Sequence, residues 1–252
     1  MNIETLTPID AAHAAQTTSE KYGFVSSRAI CDCLADAGFQ PRSIQIQRTN
    51  KDERRGFQKH IVRFRHAQLM PSVGDSFPEM LMINSHDGSS SLKLMLGVFR
   101  LVCSNGMVSG DVHDQMRFIH RKANLNAIHD GALRLIGRAG ELSDKVERMK
   151  ERIMTPSVTA DFAEKALLLR YDKPDAEASY ADQHDWGRKL TRVTWARRYE
   201  DQGNSLWLMF NRIQENLTQG RKHSGIRQIT SPSKDVEINA KLWNLSQDYL
   251  LN

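Results

Sequence analysis

The sequence lacks the features of an exported or membrane-anchored protein. Its 252 residues include three cysteines, Cys31, Cys33 and Cys103, and no apolar run approaches the roughly 20 residues that cross a bilayer. The N-terminal segment has neither the basic nor the apolar region of a signal peptide. We therefore expect a cytoplasmic protein with free thiols and no membrane partner.

Motifs of common enzymes and metal sites are also missing. There is no Gly-x-Ser-x-Gly elbow, no His-Glu-x-x-His pair and no Gly-x-x-x-x-Gly-Lys-Ser/Thr loop. The nine histidines are scattered, without a His-x-x-x-His spacing, and Cys-x-x-Cys does not occur. The sequence therefore predicts no catalytic residue, no metal site and no cofactor, and it favours a protein that is not an enzyme.

One segment, residues 83–108, carries residue types that active sites use, and the same types build turns. Asp87-Gly88 is a turn signal between strands, and the serines that follow can bond the turn backbone. A buried arginine late in the apolar strand needs a partner, and Asp87 is one option. A metal-dependent nuclease centred on Asp87 stays open as an alternative. The residues expected to be structural or ligand-contacting are Asn84, His86, Asp87, Arg100 and Asn105.

Hydrophobic periodicity divides the chain into a helix, a group of strands and further helices. Residues 25–39 predict a helix that is capped by Ser26 or Ser27 and ended by Gly38. Four strands with short connections then predict an antiparallel meander over about 41–108. The remainder, about 111–252, has helical periods, including a long stretch from about 124 to 152 and a helix near 204–220.

The predicted fold class is α+β: an N-terminal helix and an antiparallel β-meander, followed by a mainly helical C-terminal half. Residues 1–20 show little periodicity and are assigned to a flexible tail, and residues 21–252 to a single domain. Continuous apolar character in the third and fourth strands indicates burial on both faces, or on one face against helices.

Positive charge is concentrated in two regions of the chain. Residues 41–66 hold eight Lys/Arg against two Asp/Glu, and residues 188–227 hold nine against three, in a chain whose net charge is +5. The rest is therefore acidic, and this distribution predicts a polyanion partner. Nucleic-acid contacts are predicted at Arg48, Lys51, Arg54, Arg55, Lys59, Arg63 and Arg65 in the first region, and at Arg188, Lys189, Arg192, Arg197, Arg198, Arg221 and Lys222 in the second.

Strand alternation and aromatic residues refine this prediction. In the strand near residue 62, Val62 and Phe64 face the core, so that Arg63 and Arg65 face outward at a spacing of roughly 6.5–7 Å, which suits successive phosphates. In the second region, Trp195 and Tyr199 can stack on bases, although Trp195 can equally be a core residue.

The helix near residues 204–220 has a polar face beside its apolar stripe. Asn211, Gln214, Glu215 and Thr218 line this face. A solvated or buried hydrogen-bonding face is the favoured interpretation, and contact with bases or sugars is the alternative. We include Asn211 and Glu215 among the structural or ligand-contacting residues.

Four segments resemble a known family in the family's order: "NSHDGSSSLKL", "FRLVCSNGM", "SLWLMFNRIQENLTQG" and "NAKLWNLS". They resemble the domain-of-unknown-function family 932, found in plasmids and phages. The resemblance implies a mobile-element or bacterial cytosolic origin and implies no activity. A helix followed by a meander and then helices is also similar to single-strand annealing recombinases of the Red beta and Erf kind, by fold analogy.

These observations lead to one main hypothesis and two alternatives. The main hypothesis is a single-stranded DNA or other nucleic-acid binding protein, active in annealing or recombination, that forms homo-oligomers through its sheet edges. The first alternative is an inhibitor that binds an acidic surface of a host defence protein. The second is the metal-dependent nuclease.

Overall fold

In the part of the chain that the computed structural model describes, residues 7–66, 76–100, 106–108, 114–120 and 124–251, six strands form one antiparallel sheet. Pairing follows the order β1-β2-β3-β4-β5, and β6 also pairs with β4. The predicted meander and α+β class are therefore confirmed, although the sequence predicts four strands and the short β5 and β6 are additional. The strands are β1 (Phe39–Ile46), β2 (His60–His66), β3 (Ser76–Asn84), β4 (Leu92–Arg100), β5 (Gly106–Val108) and β6 (Gln115–Phe118).

Helix α1 (Ser27–Asp36) begins and ends where the sequence predicts. The Ser26 hydroxyl accepts a hydrogen bond from the Ala29 N–H at 3.3 Å. Gly38 follows the helix in the left-handed region, at φ 90°. Ile30 and Leu34 are fully buried, as their spacing on one helix face indicates.

The core of the sheet lies beneath α1 and α2 (Leu125–Gly137). Alternate side chains of β2, β3 and β4 pack there against Leu34 and Ile128. Leu81 and Met95, which point to the other face, are also buried. Burial on both faces of β3 and β4 confirms the interpretation of their continuous apolar sequence.

Strand β6 lies in a segment where the sequence predicts only helices, and that part of the prediction is wrong. Gln115–Phe118 pairs with Leu92–Met95 of β4. Four residues are too few to show a period of two. The predicted helical stretch from 124 to 152 is also divided, because α2 ends at Gly137 and α3 (Ala139–Glu151) begins two residues later.

Contacts within the chain divide it into two compact units, Met1–Ser143 and Asp144–Asn252. The sequence gives no boundary signal at residue 143, because the helical period of α3 continues through it. The single domain over residues 21–252 stays a prediction, and each unit is described by itself.

Residues 7–20, which the sequence assigns to a flexible tail, pack on the first unit. Pro8–Asp10 forms a 3-10 turn whose Ile9 is part of the hydrophobic core. The Ala15 N–H donates a hydrogen bond of 2.9 Å to the His86 carbonyl. The missing periodicity here reflects irregular packed structure, and residues 1–6 lie outside the described residues.

The second unit is helical. Its helices pack around a core that includes Phe162, Phe210 and Trp243, all fully buried. No helix of the described segments is long and apolar enough to cross a membrane. The helices that follow α3 are α4 (Pro156–Leu168), α5 (Tyr180–Val193), α6 (Leu206–Gln219) and α7 (Pro232–Leu251).

Two glycines of α2 provide a matched test of how this helix packs on β6. A Cβ at Gly131 would lie 2.8 Å from Met116 Sδ and 2.9 Å from Phe118 Cζ, whereas a Cβ at Gly137 meets nothing within 4 Å. We expect Gly137→Ala to stabilise the protein by about 0.4–1 kcal/mol, because alanine has fewer conformations than glycine in the unfolded chain. Gly131→Ala should instead destabilise it by about 1 kcal/mol, because overpacking outweighs the same gain. Equal effects of both substitutions in urea unfolding would contradict this packing.

Candidate nucleic-acid interface

A basic groove lies in the second unit beside α5, with a volume of about 580 Å³. Four of its side chains are cationic, and one is a carboxylate. An excess of cations around one concave surface is the electrostatic arrangement that binds polyanions. Its lining residues are Tyr171, Asp185, Arg188, Lys189, Arg221, Gly225, Ile226 and Arg227.

The loop after α6 supplies half of this groove because it folds back on the helix. The Arg221 N–H donates to the Ile226 carbonyl at 3.1 Å, and the Ile229 N–H donates to the Thr218 carbonyl at 2.7 Å. Gly220 permits this reversal: its φ is 65°, and a Cβ there would lie 2.5 Å from the Gln228 nitrogen.

Arg227 is held at its backbone, which leaves its exposed side chain in the groove. Its N–H donates to the Tyr171 hydroxyl at 3.1 Å, and its carbonyl accepts from Arg170 Nη1 at 2.9 Å. The Tyr171 ring also lies 5.4 Å from Lys189 Nζ. The groove therefore has one aromatic wall as well as its cations.

Trp195 extends the basic surface beyond the groove. Its side chain is 42% exposed, so it is not a core residue. The Arg192 guanidinium lies 3.7 Å and the Arg221 guanidinium 5.3 Å from the centroid of its ring. Arg221 thus belongs both to the groove and to this aromatic group, in which the Arg192 guanidinium covers one face of the Trp195 ring.

Buried Asn216 positions Trp195. Its Nδ2 donates to the carbonyls of Val193 and Trp195 at 2.9 and 2.8 Å, and its Oδ1 accepts from Arg197 Nε at 2.8 Å. These bonds tie the end of α5 to α6. The sequence did not predict a role for Asn216, although it belongs to the same helix, "NRIQENLTQ", as the predicted polar face.

The other polar residues of α6 bond within the unit. Asn211 Nδ2 donates to the Trp207 carbonyl at 2.7 Å, and Gln214 Nε2 donates to Asn239 Oδ1 at 2.7 Å. Glu215 Oε1 lies 2.5 Å from Arg198 Nη2. These contacts agree with the favoured interpretation of a buried hydrogen-bonding face.

The predicted contacts of the second basic region have different locations. Arg188, Lys189 and Arg221 line the groove, and Arg192 lies on Trp195. Arg197 and Arg198 are engaged with α6, and Lys222 is exposed beside Arg221. The structure adds Arg227, which the sequence places in a basic loop, and Tyr171, which no local sequence signal connects to the groove.

The pKa values of two cations in this region are lowered, in part by neighbouring cations. Burial and the neighbouring Arg227 lower the pKa of Lys189. Burial is also the main cause that lowers the pKa of Arg197, with further contributions from Arg221 and Arg198. Repulsion between neighbouring cations means that a bound anion would be stabilising here.

In the first unit, Arg63 and Arg65 share a buried carboxylate. Glu79 of β3 is fully buried, with its Oε2 at 2.7 Å from Arg63 Nε and its Oε1 at 2.6 Å from Arg65 Nη2. The Arg65 guanidinium also lies 3.9 Å from the Phe77 ring centroid. Both side chains are on the face of β2 opposite Val62 and Phe64, but they are only 24% and 20% exposed.

The other predicted contacts of the first basic region lie between β1 and β2. Arg48, Lys51 and Arg55 are exposed, and Lys59 is half-buried. Arg55 pairs with Asp52 at 3.0 Å, whereas Arg54 approaches Asp87 at 4.0 Å. These cations are therefore spread along the connection between the two strands.

Asp87 has the contacts of a turn residue. Its Oδ1 accepts a hydrogen bond from the Ser89 N–H at 3.0 Å, and its side chain is 4% exposed. Within the described residues, no three His, Cys, Asp or Glu side chains are grouped so that they could hold a metal ion. The side chain of Arg100, its proposed partner, lies outside the described residues, as do Cys103 and Asn105.

His86 belongs to a buried network around Ser27. The Ser27 hydroxyl lies 2.8 Å from His60 Nε2 and 3.0 Å from His86 Nε2, and it accepts from Asn84 Nδ2 at 2.9 Å. His60 Nδ1 lies 3.0 Å from the Gln58 carbonyl. His60 therefore carries its proton on Nδ1 and accepts from Ser27, so that His86 donates to Ser27 from Nε2.

This network joins α1, β2 and the end of β3, and none of its side chains is exposed. All the hydrogen-bonding capacity of the Ser27 hydroxyl is used within it. The arrangement supports the structural interpretation of Asn84 and His86.

Comparison with known proteins agrees with the segments quoted above. The family model of the domain of unknown function DUF932 matches residues 14–243. The chain belongs to this family. The resemblance to it is thereby confirmed, whereas similarity to annealing recombinases stays a prediction.

Two relatives of this DUF932 chain occur in Escherichia coli (strain K12). The UPF0380 protein YfjQ is 29% identical over 245 residues, which cover 93% of this chain and 85% of the relative. The UPF0380 protein YafZ is 28% identical with the same coverage. No solved structure matches the chain.

The Glu79 ion pairs lead to a stability prediction. Arg63→Gln combined with Arg65→Gln leaves a buried carboxylate unpaired, so we expect a loss of about 3–5 kcal/mol in unfolding free energy. Adding Glu79→Gln should restore most of this loss, because no buried charge remains. Urea unfolding of both variants measures the difference. A double variant as stable as the wild type would show that Glu79 does not need the arginines.

The buried histidines lead to a pH prediction. Burial, followed by the nearby His60 and His120, lowers the pKa of His86 to about 3. The unfolded chain takes up this proton near pH 6.5, so stability should fall as pH decreases from about 6.5 toward 3. We expect His86 to account for up to about 2 kcal/mol of the loss at pH 5.

His86→Gln keeps a donor toward Ser27 and cannot titrate. Its unfolding free energy, measured by urea between pH 7.5 and 5, should therefore fall less steeply than that of the wild type. Identical pH dependence in the two proteins would mean that His86 is not held neutral.

Proposed function

We propose that this protein binds single-stranded nucleic acid along the basic groove and Trp195 of the second unit. The observation that carries the proposal is the convergence of Arg188, Lys189, Arg221 and Arg227 on one groove with a single carboxylate. Phosphate contacts of this kind provide most of the affinity of nucleic-acid binding and make it dependent on salt.

The aromatic residues support a single strand as the ligand. Trp195 is exposed at the edge of the cationic surface, and Arg221 connects it with the groove. A single strand can place its phosphates in the groove and stack an unpaired base beside Trp195. The paired bases of a duplex are already stacked on one another and cannot do this without flipping.

The first basic region has a smaller part in this proposal. Arg63 and Arg65 share buried Glu79, so half of their combined charge is compensated inside the protein. The exposed cations between β1 and β2 add to the general attraction of a polyanion. Annealing and recombination extend the same proposal and rest on the fold analogy with annealing recombinases, whereas an origin in a plasmid or phage rests on the family resemblance.

A homo-oligomer formed through the sheet edges stays a separate prediction. β1 is an edge of the described sheet, but it contains Pro41 and an irregular register between Pro41 and Ser43. Both features discourage pairing with another strand. Binding in the groove therefore does not depend on an oligomer.

Charge removal inside and outside the groove tests the proposal. We expect Arg221→Gln with Arg227→Gln to weaken binding to single-stranded oligonucleotides of every sequence. The salt slope, which is the steepness with which log K falls against log salt concentration, should decrease by about 1.4, since two phosphate contacts are lost. The matched control is Lys165→Gln with Lys241→Gln, which removes two exposed cations that line no part of the groove.

Fluorescence anisotropy across a salt series provides the measurement, with circular dichroism to check the fold. The control should keep the slope of the wild type. A wild type that does not bind single strands at about 50 mM salt would overturn the proposal, because polyanion contacts are strong there. Equal losses in the groove and control variants would overturn the assignment to this groove.

A further inference from the structure

The single carboxylate of the groove lies among its cations. Asp185 is one turn before Arg188 and Lys189 on α5, and its carboxylate contacts Arg188 Nη2 and Lys189 Nζ. Its side chain is 36% exposed. The two cations that α5 contributes to the groove are therefore already paired with an anion of the same chain.

The loop on the other side confirms that this carboxylate lies within the groove. A Cβ added at Gly225 would lie 2.9 Å from Asp185 Oδ1 and 3.3 Å from Lys189 Nζ. Because Gly225 itself lines the groove, the loop backbone passes close to the ion pairs of Asp185. The carboxylate thus lies between α5 and the loop, where a phosphate would also meet Lys189.

We infer that Asp185 is a built-in competitor of the nucleic acid, an internal carboxylate that occupies the N–H donors of Arg188 and Lys189 that a phosphate would take. This inference rests on the proposed function. A phosphate that enters must displace the carboxylate or bind beside its negative charge, and both alternatives weaken binding. Asp185 therefore sets the affinity of the groove below the value that its four cations would give.

The inference predicts tighter binding when the carboxylate is removed. Asp185→Asn keeps the size of the side chain and releases both cations. The free energy of one exposed ion pair corresponds to a factor of roughly 1.4 to 5 in an equilibrium constant. Removing the two pairs that compete with the phosphate should therefore tighten binding about 2- to 30-fold at low salt. The salt slope should steepen by about 0.7, as for one added phosphate contact on a single strand.

Asp182→Asn is the matched control for net charge. Asp182 is one turn earlier on the same helix, and its carboxylate accepts a hydrogen bond of 2.6 Å from Ser179. The control makes the same change in net charge without releasing Arg188 or Lys189. It should therefore stay within about twofold of the wild type, the effect of a weak exposed charge.

Anisotropy titrations of an oligothymidine single strand with the wild type, Asp185→Asn, Asp182→Asn and Asp185→Ala distinguish the outcomes, and circular dichroism confirms that each is folded. Tighter binding by both Asp185 variants alone supports the inference. Equal tightening by Asp182→Asn would overturn it, because net charge would then be the cause. If the wild type binds and the Asp185 variants bind equally well or more weakly, the inference is overturned, while the proposed function stands. Failure of every protein to bind would overturn the proposed function itself.

Discussion

The reversal of the chain after α6 places the cations that define the second unit's surface. Residues 220–229 fold back through backbone hydrogen bonds, and only a residue without a Cβ fits at Gly220. Arg221 and Arg227 thereby come to lie opposite Arg188 and Lys189 of α5. The free energy of folding offsets the repulsion between these four cations, and the groove therefore has a positive electrostatic potential.

Two basic regions that are similar in sequence have different physical roles in the structure. In the sheet, Arg63 and Arg65 compensate a carboxylate that burial would otherwise make costly, and such pairs contribute to structure more than to a surface potential. In the helical unit, four cations line the groove with one acid, Asp185, whose side chain is 36% exposed. The burial of the acid that faces the cations, which composition does not reveal, separates a structural ion pair from a binding surface.

The elements that could be predicted from sequence are those with a sustained period and clear ends. α1 has a capping serine, an apolar face and a terminal glycine, and α6 has the same three features. Strand β6 is too short for its period to show, and residues 7–20 pack without any period. The geometry of the site was harder to predict, because it depends on contacts between residues that are distant in the chain. Glu79 contacts Arg65, Tyr171 contacts Lys189 and Asn216 contacts Trp195, and the two residues of each pair are 14 to 21 positions apart.

Intrinsic fluorescence tests the central claim directly, because only one of the four tryptophans lies on the proposed surface. Trp195 is 42% exposed, whereas Trp186, Trp207 and Trp243 are buried. Titration with an unlabelled single-stranded oligonucleotide should quench the emission of the wild type, as a base stacks beside Trp195. The same titration of Trp195→Phe should leave the emission of the remaining three almost unchanged. Quenching that persists in Trp195→Phe, or binding without any quenching in the wild type, would contradict the account.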